Sequence, residues 1–344
     1  MAVKPWGSII IAMKAISLMS GGLDSTLATK ITKDLGIDLV ALNTVSAFCL
    51  CNHRSSSGCF HGVNSTAKDL SIKLISLNVA EEFLEIVRKP KYGYGSNMNP
   101  CIDCRILLFK KAKEFMEKEG ASFVITGEVL GQRPMSQKLN TMRLIEKESE
   151  LEGFVVRPLS AKVLEPTIPE QKGWIDREKL LAINGRGRRQ QFDLAKELGI
   201  NDYPCPSGGC LLTDPEFSRK LKDLINHGEF NLKEVQLLKI GRHFRLTQRA
   251  KLVVGRNESE NKRLLDLVKD EDYIFMPQNI AGPTALGRGE FDDELLRVSC
   301  GIASRYCDLN GNDSADIVYK KNTQEDKVFK APALEDKKVE SYRV

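Results

Sequence analysis

Six residues, Ser20-Gly21-Gly22-Leu23-Asp24-Ser25, stand between the apolar run Ala15-Ile16-Ser17-Leu18-Met19 and a helix-forming stretch that runs to about Leu35. A short buried strand, a glycine turn and a helix, in that order, restrict the chain to folds built from strand–turn–helix units. Gly21 and Gly22 let the backbone turn sharply and bring its N–H groups close to a ligand, with no Cβ in the way. Ser20 and Ser25 add hydroxyls, and the helix N-terminus adds partial positive charge, so the turn forms a nest for phosphate or pyrophosphate. Asp24, the loop's one carboxylate, is the natural ligand for Mg²⁺. No lysine follows the glycines, which excludes the GxxxxGK[ST] loop of the common NTPases. The plainer reading is an ordinary strand-to-helix turn.

Downstream, strands are expected at 39–42, 74–77, 122–126 and 154–159, with helices near 61–71, 80–88 and 103–119. Strands alternating with helices give an α/β fold with a doubly wound parallel sheet. Ligands then sit beyond the carboxyl ends of the strands. Ser20–Ser25, Thr126-Gly127-Glu128 and Arg157-Pro158 would converge there. From about Gly185 the rhythm changes. The basic cluster Gly185-Arg186-Gly187-Arg188-Arg189 opens a helix to Leu198, and Pro204, Pro206, Gly208 and Gly209 break the chain. A helix near 215–226 and strands at 235–240, 243–246, 251–254 and 273–276 follow, with helices near 258–268 and 291–307. This is a second, smaller α+β domain. The expected organisation is an extension over 1–12, the α/β domain over 13–212, a linker helix within 213–231, the α+β domain over 232–320 and a charged, mobile tail over 321–344.

At 344 residues the chain is comfortable for two domains, and 42% hydrophobic with 28% charged residues describes globular units with real cores. A net charge of +5 leaves any nucleic-acid-binding surface to local clusters. No apolar run approaches the ~20 residues that cross a bilayer, so no membrane partner and a cytoplasmic location are expected. In that compartment nine cysteines point to metal or catalytic thiols rather than disulfides. Cys101 and Cys104 form a CxxC at a helix start, where the dipole and adjacent Arg105 would lower the Cys104 pKa. Cys205 and Cys210 come about a hundred residues later. Three thiolates, Cys101, Cys104 and Cys210 with Cys205 in reserve, suit an iron–sulfur cluster with one open iron. Buried structural thiols are the alternative. Cys49, Cys51, His53, Cys59 and His61 form a thiol-rich stretch that reads as a loop as readily as a metal site. Cys300 and Cys307 suit packing.

SGGLDS resembles the PP-loop of the ATP pyrophosphatases, the adenine nucleotide alpha hydrolase-like fold that splits ATP into AMP and pyrophosphate. Together with the NPCxxC at 99–104, Ile125-Thr126-Gly127, Arg157-Pro158-Leu159 and Gly208-Gly209-Cys210, it makes residues 13–212 resemble the PP-loop tRNA thiolation enzymes, in the 2-thiouridylase and 4-thiouridine synthetase branch. The resemblance implies a tRNA sulfurtransferase: ATP adenylates a uridine carbonyl oxygen, and sulfur displaces AMP. It implies ATP and Mg²⁺, with Ser20, Gly21, Gly22, Leu23, Asp24, Ser25, Thr126, Gly127 and Arg157 at the nucleotide. Cys104 and Cys210 would be catalytic together with Asp24. A [4Fe-4S] cluster on Cys101, Cys104 and Cys210 and a persulfide route through Cys104 and Cys210 both remain open. tRNA would be the partner, with a cysteine desulfurase relay or inorganic sulfide as sulfur donor. Many relatives carry His after the Thr-Gly, where this chain has Glu128.

Gly241-Arg242-His243-Phe244-Arg245-Leu246, Val254–Asn261 and Ala281-Gly282-Pro283 resemble the RNA-binding domain at the end of the NFACT proteins. Arg242, Arg245, Arg249, Lys251 and Arg256 would bind phosphates, and His243 and Phe244 would stack on an unpaired base. Arg186, Arg188 and Arg189 would add to the RNA surface. A solvated basic surface with Phe244 in the core is the alternative. Two rival functions stay in view: another PP-loop ligase, such as a 7-cyano-7-deazaguanine synthase, and a non-catalytic, nucleotide-sensing RNA-binding protein.

Overall fold

The computed structural model of the chain describes residues 13–49, 58–200, 209–321 and 324–344, with the backbone alone at 58–61. The chain divides into two compact units, residues 1–213 and 214–344.

In the first unit, strands β1 (Lys14–Leu18), β2 (Asp38–Val45), β3 (Lys73–Asn78), β4 (Phe123–Thr126) and β5 (Val155–Val156) form a sheet in the order β3-β2-β1-β4-β5. All its pairings are parallel, with Ile16 opposite Val40 on one side and Val124 on the other. Helices α1 (Leu23–Asp34), α2 (Gly58–Asp69), α3 (Ala80–Arg88), α4 (Cys101–Glu119), α5 (Leu139–Glu148) and α6 (Arg189–Glu197) connect and follow the strands. Along β1 the side chains alternate. Ile16 and Leu18 pack with Val40, Val124 and Phe109 of α4, whereas Ala15 packs with Leu39, Phe123 and Leu180 on the opposite face. A strand apolar on both faces is one covered on both faces. Strands β2 and β3 lie to one side of β1, and β4 and β5 to the other. The carboxyl ends of β1 and β4 therefore flank the switch point at which such sheets bind ligands.

The second unit contains α7 (Pro215–Asn226), α8 (Leu232–Leu238), β6 (Arg242–Thr247), β7 (Ala250–Val254), α9 (Glu258–Leu265), β8 (Tyr273–Pro277), β9 (Ala285–Gly289), α10 (Asp293–Arg305), β10 (Ser314–Lys321), β11 (Lys327–Pro332) and α11 (Asp336–Tyr342). Its sheet, in the order β11-β10-β8-β9-β7-β6, is antiparallel throughout. Ile302 and Ala303 of α10 pack against Phe244, Phe275 and Ile317 of the sheet.

Three expectations are corrected here. Residues 235–240, expected as a strand, lie mostly in α8, because the Asn231 side chain accepts the Glu234 N–H and caps a helix over the same apolar run. Helix α7, expected as a linker, buries Phe217, Leu221 and Leu224 within the second unit. The tail, expected to be mobile, supplies β11, paired to β10, and α11, whose Val339 is buried. Arg343 then bridges to Phe244 of β6, and the Val344 N–H donates to the His243 carbonyl at 3.1 Å. Backbone pairing and a few apolar anchors outweigh the charged composition.

Candidate active site

After β1 the chain turns at Gly21, whose φ of +76° lies in the left-handed region that favours glycine. Ser25 Oγ donates to the Gly22 carbonyl at 2.9 Å and accepts the Ser20 N–H at 3.3 Å. These bonds pin the loop to the first turn of α1, whose leading N–H groups have no intrahelical acceptor. Gly127, just past β4, presses on the same turn: a Cβ there would stand 2.5 Å from the Asp24 carbonyl and the Ser25 nitrogen. A cavity of about 310 Å³ opens on this surface, lined by Ser20, Gly21, Gly22, Leu23, Asp24, Ser25, Thr126 and Gly127.

Arg157, expected at the nucleotide, is not among the lining residues and is corrected to a structural role. It is buried, donating to Glu128 at 3.1 Å and to Glu146 at 2.5 Å. Burial alone would lower its pKa, but the two carboxylates outweigh it and hold it above the ordinary value. Glu128 also meets Arg105 at 3.4 Å, so the residue that replaces histidine is committed to two guanidiniums.

Arg188, expected on the RNA surface, lines the cavity instead. Asp24 Oδ2 accepts from Arg188 at 2.8 Å and from Gln132 at 2.7 Å, while Gln191 donates to Gln132 at 2.9 Å. Asp24 Oδ1 and Arg188 Nη1 are buried without a hydrogen-bond partner. Arg105 and Arg133 line the same cavity. Burial pushes the Arg133 guanidinium below its ordinary range, and Arg105 and Arg188 push it the same way. Crowded guanidiniums beside a backbone nest form a site short of negative charge, which suits a polyanion.

Three thiols, Cys49, Cys104 and Cys210, face this cavity. The Asp103 carboxylate accepts the Lys91 and Tyr92 N–H groups at 3.0 and 3.1 Å, which fixes the loop before α4 to the helix start. The segment carrying Cys210 is held by the Met98 N–H donating to the Leu212 carbonyl at 3.1 Å. Contrary to the helix-dipole argument, burial pushes the Cys104 thiol up to about 11 against the pull of Arg105. Burial pushes Cys210 up to about 12, and the neighbouring Cys104, Cys101 and Cys49 add to that. The expected convergence of Cys101, Cys104 and Cys210 is met only by the last two in the cavity lining, with Cys49 in place of Cys101. Among the described residues no three Cys, His, Asp or Glu side chains group closely enough to hold a metal ion. Cys51, His53 and Cys205, and the side chains of Cys59 and His61, lie outside the described residues.

In the second unit the expected RNA contacts divide. Phe244 is fully buried in the core and His243 is buried with Nε2 at 2.9 Å from the Ile240 carbonyl, so neither is available to stack on a base. Burial holds His243 well below its ordinary pKa. Arg245 is held by Asp223 at 2.6 Å and Glu229 at 3.3 Å, and Lys251 by Glu229 and Glu234. Arg242 and Arg256 line a separate cavity of about 710 Å³, and the Arg242 guanidinium lies 4.5 Å above the Tyr306 ring. Arg186 and Arg189 of the first unit are exposed.

The sequence reading missed Gln132 and Arg133, and it left Cys49 between a loop and a metal site. The first two follow directly on the Thr126-Gly127 strand end, a position that carries ligand contacts in any sheet of this class. Among the described residues, no helix is long and apolar enough to cross a membrane.

Residues 11–165 match the family model described as Thiamine biosynthesis protein (ThiI), and residues 241–343 match that of the NFACT protein RNA binding domain. A "Probable tRNA sulfurtransferase" from Methanosarcina mazei is 31% identical over 209 residues, 59% of this chain. The chain covers only 43% of that relative's length. A "tRNA-specific 2-thiouridylase MnmA" from Listeria monocytogenes is 20% identical over 76% of this chain and 70% of its own. Among solved structures, a 4-thiouridine synthetase–RNA complex with bound ATP is 21% identical, covering 66% of this chain and 52% of that one, with a TM-score of 0.37. The chain thus joins a segment similar to the ThiI family, over residues 11–165, to one similar to the NFACT RNA-binding domain, over 241–343.

Proposed function

We propose that the chain is an ATP-dependent tRNA sulfurtransferase, which adenylates a uridine carbonyl oxygen and replaces that oxygen with sulfur. One observation carries this reading. A phosphate nest, an aspartate with a buried, unpartnered oxygen, three arginines and three thiols share one cavity. Phosphate chemistry and sulfur chemistry share a cavity to advantage where one prepares the substrate of the other. The names of the Methanosarcina and Listeria relatives support the same substrate class.

A uracil carbonyl oxygen is a poor leaving group and AMP is a good one, so adenylation splits one hard substitution into two easier steps. The nest, Arg133 and Arg188 orient the triphosphate, and the carbonyl oxygen attacks the α-phosphorus as pyrophosphate leaves. Asp24 Oδ1 is a hard, buried oxygen without a partner and fits Mg²⁺, which would neutralise charge on the phosphates when bound. A sulfur nucleophile delivered by the cavity thiols, with Cys210 as its carrier, then displaces AMP. The described cysteines do not fit a [4Fe-4S] cluster as arranged, and no step is assigned to one. A persulfide, supplied by a cysteine desulfurase relay, is the sulfur species these thiols suit. The NFACT-type domain supplies RNA affinity.

The test incubates full-length protein with ATP, bulk tRNA, cysteine and a cysteine desulfurase. It follows AMP release and thiolated nucleosides by mass spectrometry. AMP formation that depends on tRNA, together with thiouridine, is the expected result. AMP without any thiolated nucleoside would overturn the sulfurtransferase reading.

A further inference from the structure

Cys49 belongs to neither the phosphate nest nor the CxxC pair, yet it is the thiol set directly against Cys210. The two residues form an antiparallel backbone bridge. Within it the Leu211 N–H donates to the Phe48 carbonyl at 2.9 Å. That bond joins the residue after Cys210 to the residue before Cys49, so the cysteines occupy a non-hydrogen-bonded pair, the position at which opposed side chains lie closest. Residues so paired are about 4.5 Å apart at Cα, inside the roughly 4.4–6.8 Å that a disulfide spans. Both line the cavity that holds the nest. Cys104 reaches that cavity from another element, the first turn of α4.

From this pairing we propose that Cys49 is the resolving thiol of sulfur transfer, closing a disulfide with Cys210. The proposal rests on the sulfurtransferase reading above. The terminal sulfur of a Cys210 persulfide attacks the adenylated carbon; a C–S bond forms, the C–O bond to AMP breaks, and the RNA is left joined to Cys210 through a disulfide. Cys49, its proton released to solvent, attacks Cys210 Sγ. A Cys49–Cys210 bond forms, the old S–S bond breaks, and its electron pair leaves on the RNA sulfur as thiouridine. Two thiols are oxidised while the sulfane sulfur is reduced, and a dithiol reductant returns the enzyme to its starting state.

Two measurements on the full chain test this. In the first, reduced protein is equilibrated with a glutathione redox buffer at mildly alkaline pH, without substrates, and disulfides are mapped by peptide mass spectrometry. A Cys49–Cys210 linkage is expected; Cys210 found joined to Cys104 or Cys101, or still reduced when other thiols have reacted, overturns the proposal. In the second, Cys49→Ser protein is run for a single turnover without reductant. It should accumulate a covalent protein–tRNA adduct, at least tenfold above wild type, that dithiothreitol releases. Such an adduct also reports that the variant folded and adenylated its RNA. Wild-type-like release of thiouridine by Cys49→Ser, without adduct, removes Cys49 from the reaction. Stoichiometric iron and sulfide that disappear in Cys210→Ser would do the same by making Cys210 a cluster ligand. Absence of tRNA-dependent AMP in wild type would instead fail the sulfurtransferase reading, and the first measurement still decides the pairing.

Discussion

Asp24 and Arg188 lie 164 positions apart, and neither makes sense alone. The aspartate keeps one oxygen on the arginine and one unpartnered, while the arginine came from a cluster whose composition pointed to RNA. Their 2.8 Å ion pair fixes Arg188 in the cavity of the glycine loop, where the proposed function has it meet the nucleotide. Arg188→Ala should raise the KM for ATP by roughly tenfold to a hundredfold, the worth of a charge-assisted hydrogen bond of about 1.5–3 kcal/mol. RNA affinity, read by filter binding, should stay unchanged; the reverse pattern would return Arg188 to the RNA surface. Asp24→Ala should abolish AMP formation with circular dichroism intact. The thiols allow a pH experiment. Cys104 and Cys210 are held near 11 and 12 by burial, and the thiolate is the nucleophile. Their alkylation by iodoacetamide should therefore be slow at neutral pH and still rise above pH ~10, where an exposed thiol with a pKa of about 8.5 has levelled off. Early saturation would show a lowered pKa. The loop and its aspartate were legible in the sequence because SGGLDS encodes its own geometry. Arg188 was not, because a side chain's direction is set by the packing of α6 and not by its neighbours in the chain.

At the level of elements, the first unit was easier to read than the second. Parallel strands buried on both faces announce themselves as continuous apolar runs between helices. In the second unit, β9 contains Gly287 and Gly289, which carry no strand signal, and α8 covers a run whose period fits helix or strand until Asn231 caps it. Local arginine density misled for a related reason: sequence does not show which basic side chains fold onto carboxylates, as Arg245 does onto Asp223 and Glu229. Glu234 shows a comparable network, built on cations of β7, β9 and the loop after α9. It is buried with Lys251, Lys269 and Arg288 each within 2.7 Å. Burial alone would raise its pKa, but the three cations outweigh burial and hold the carboxyl down to about 2. A folded-state value below the unfolded one of about 4.3 means stabilisation that is complete above that pH and is lost as pH falls toward 2. Glu234→Gln should flatten this acid limb in urea titrations, and Glu234→Ala should cost about 3–5 kcal/mol by stranding buried cations. An unchanged acid limb in Glu234→Gln would show that the network is not what acid breaks. At the junction of β4 and α1, Gly127→Ala has no space for its methyl. Strain of about 1–3 kcal/mol is expected, seen as a lower Tm together with weakened ATP binding.

For the whole molecule, the division of labour between the units is testable through salt. Arg242 and Arg256 line the second unit's cavity, Arg256 with its guanidinium also on Glu260 at 2.5 Å, whereas Arg245 lies outside that lining and is held by Asp223 and Glu229. The double variant Arg242→Glu, Arg256→Glu should weaken RNA binding and reduce the slope of log affinity against log salt by roughly 0.7–0.9 for each phosphate no longer neutralised. Arg245→Ala should lower stability and leave that slope alone. Equal slopes for wild type and the double variant would move the RNA surface elsewhere, with Arg186 and Arg189 as the next candidates. The chain's two-part organisation was readable from the change of rhythm near Gly185, but the end of the chain was not, because charge content says nothing about backbone pairing. That pairing reaches beyond fold. An open antiparallel sheet has two edges at which another copy could add strand by strand. On this sheet Arg343 and Val344 lie against β6, and β11 presents exposed Lys327 and Lys330 and ends at Pro332. Lysines and proline are what natural edge strands use against aggregation, so the segment that composition alone would discard carries the features that guard an open sheet edge.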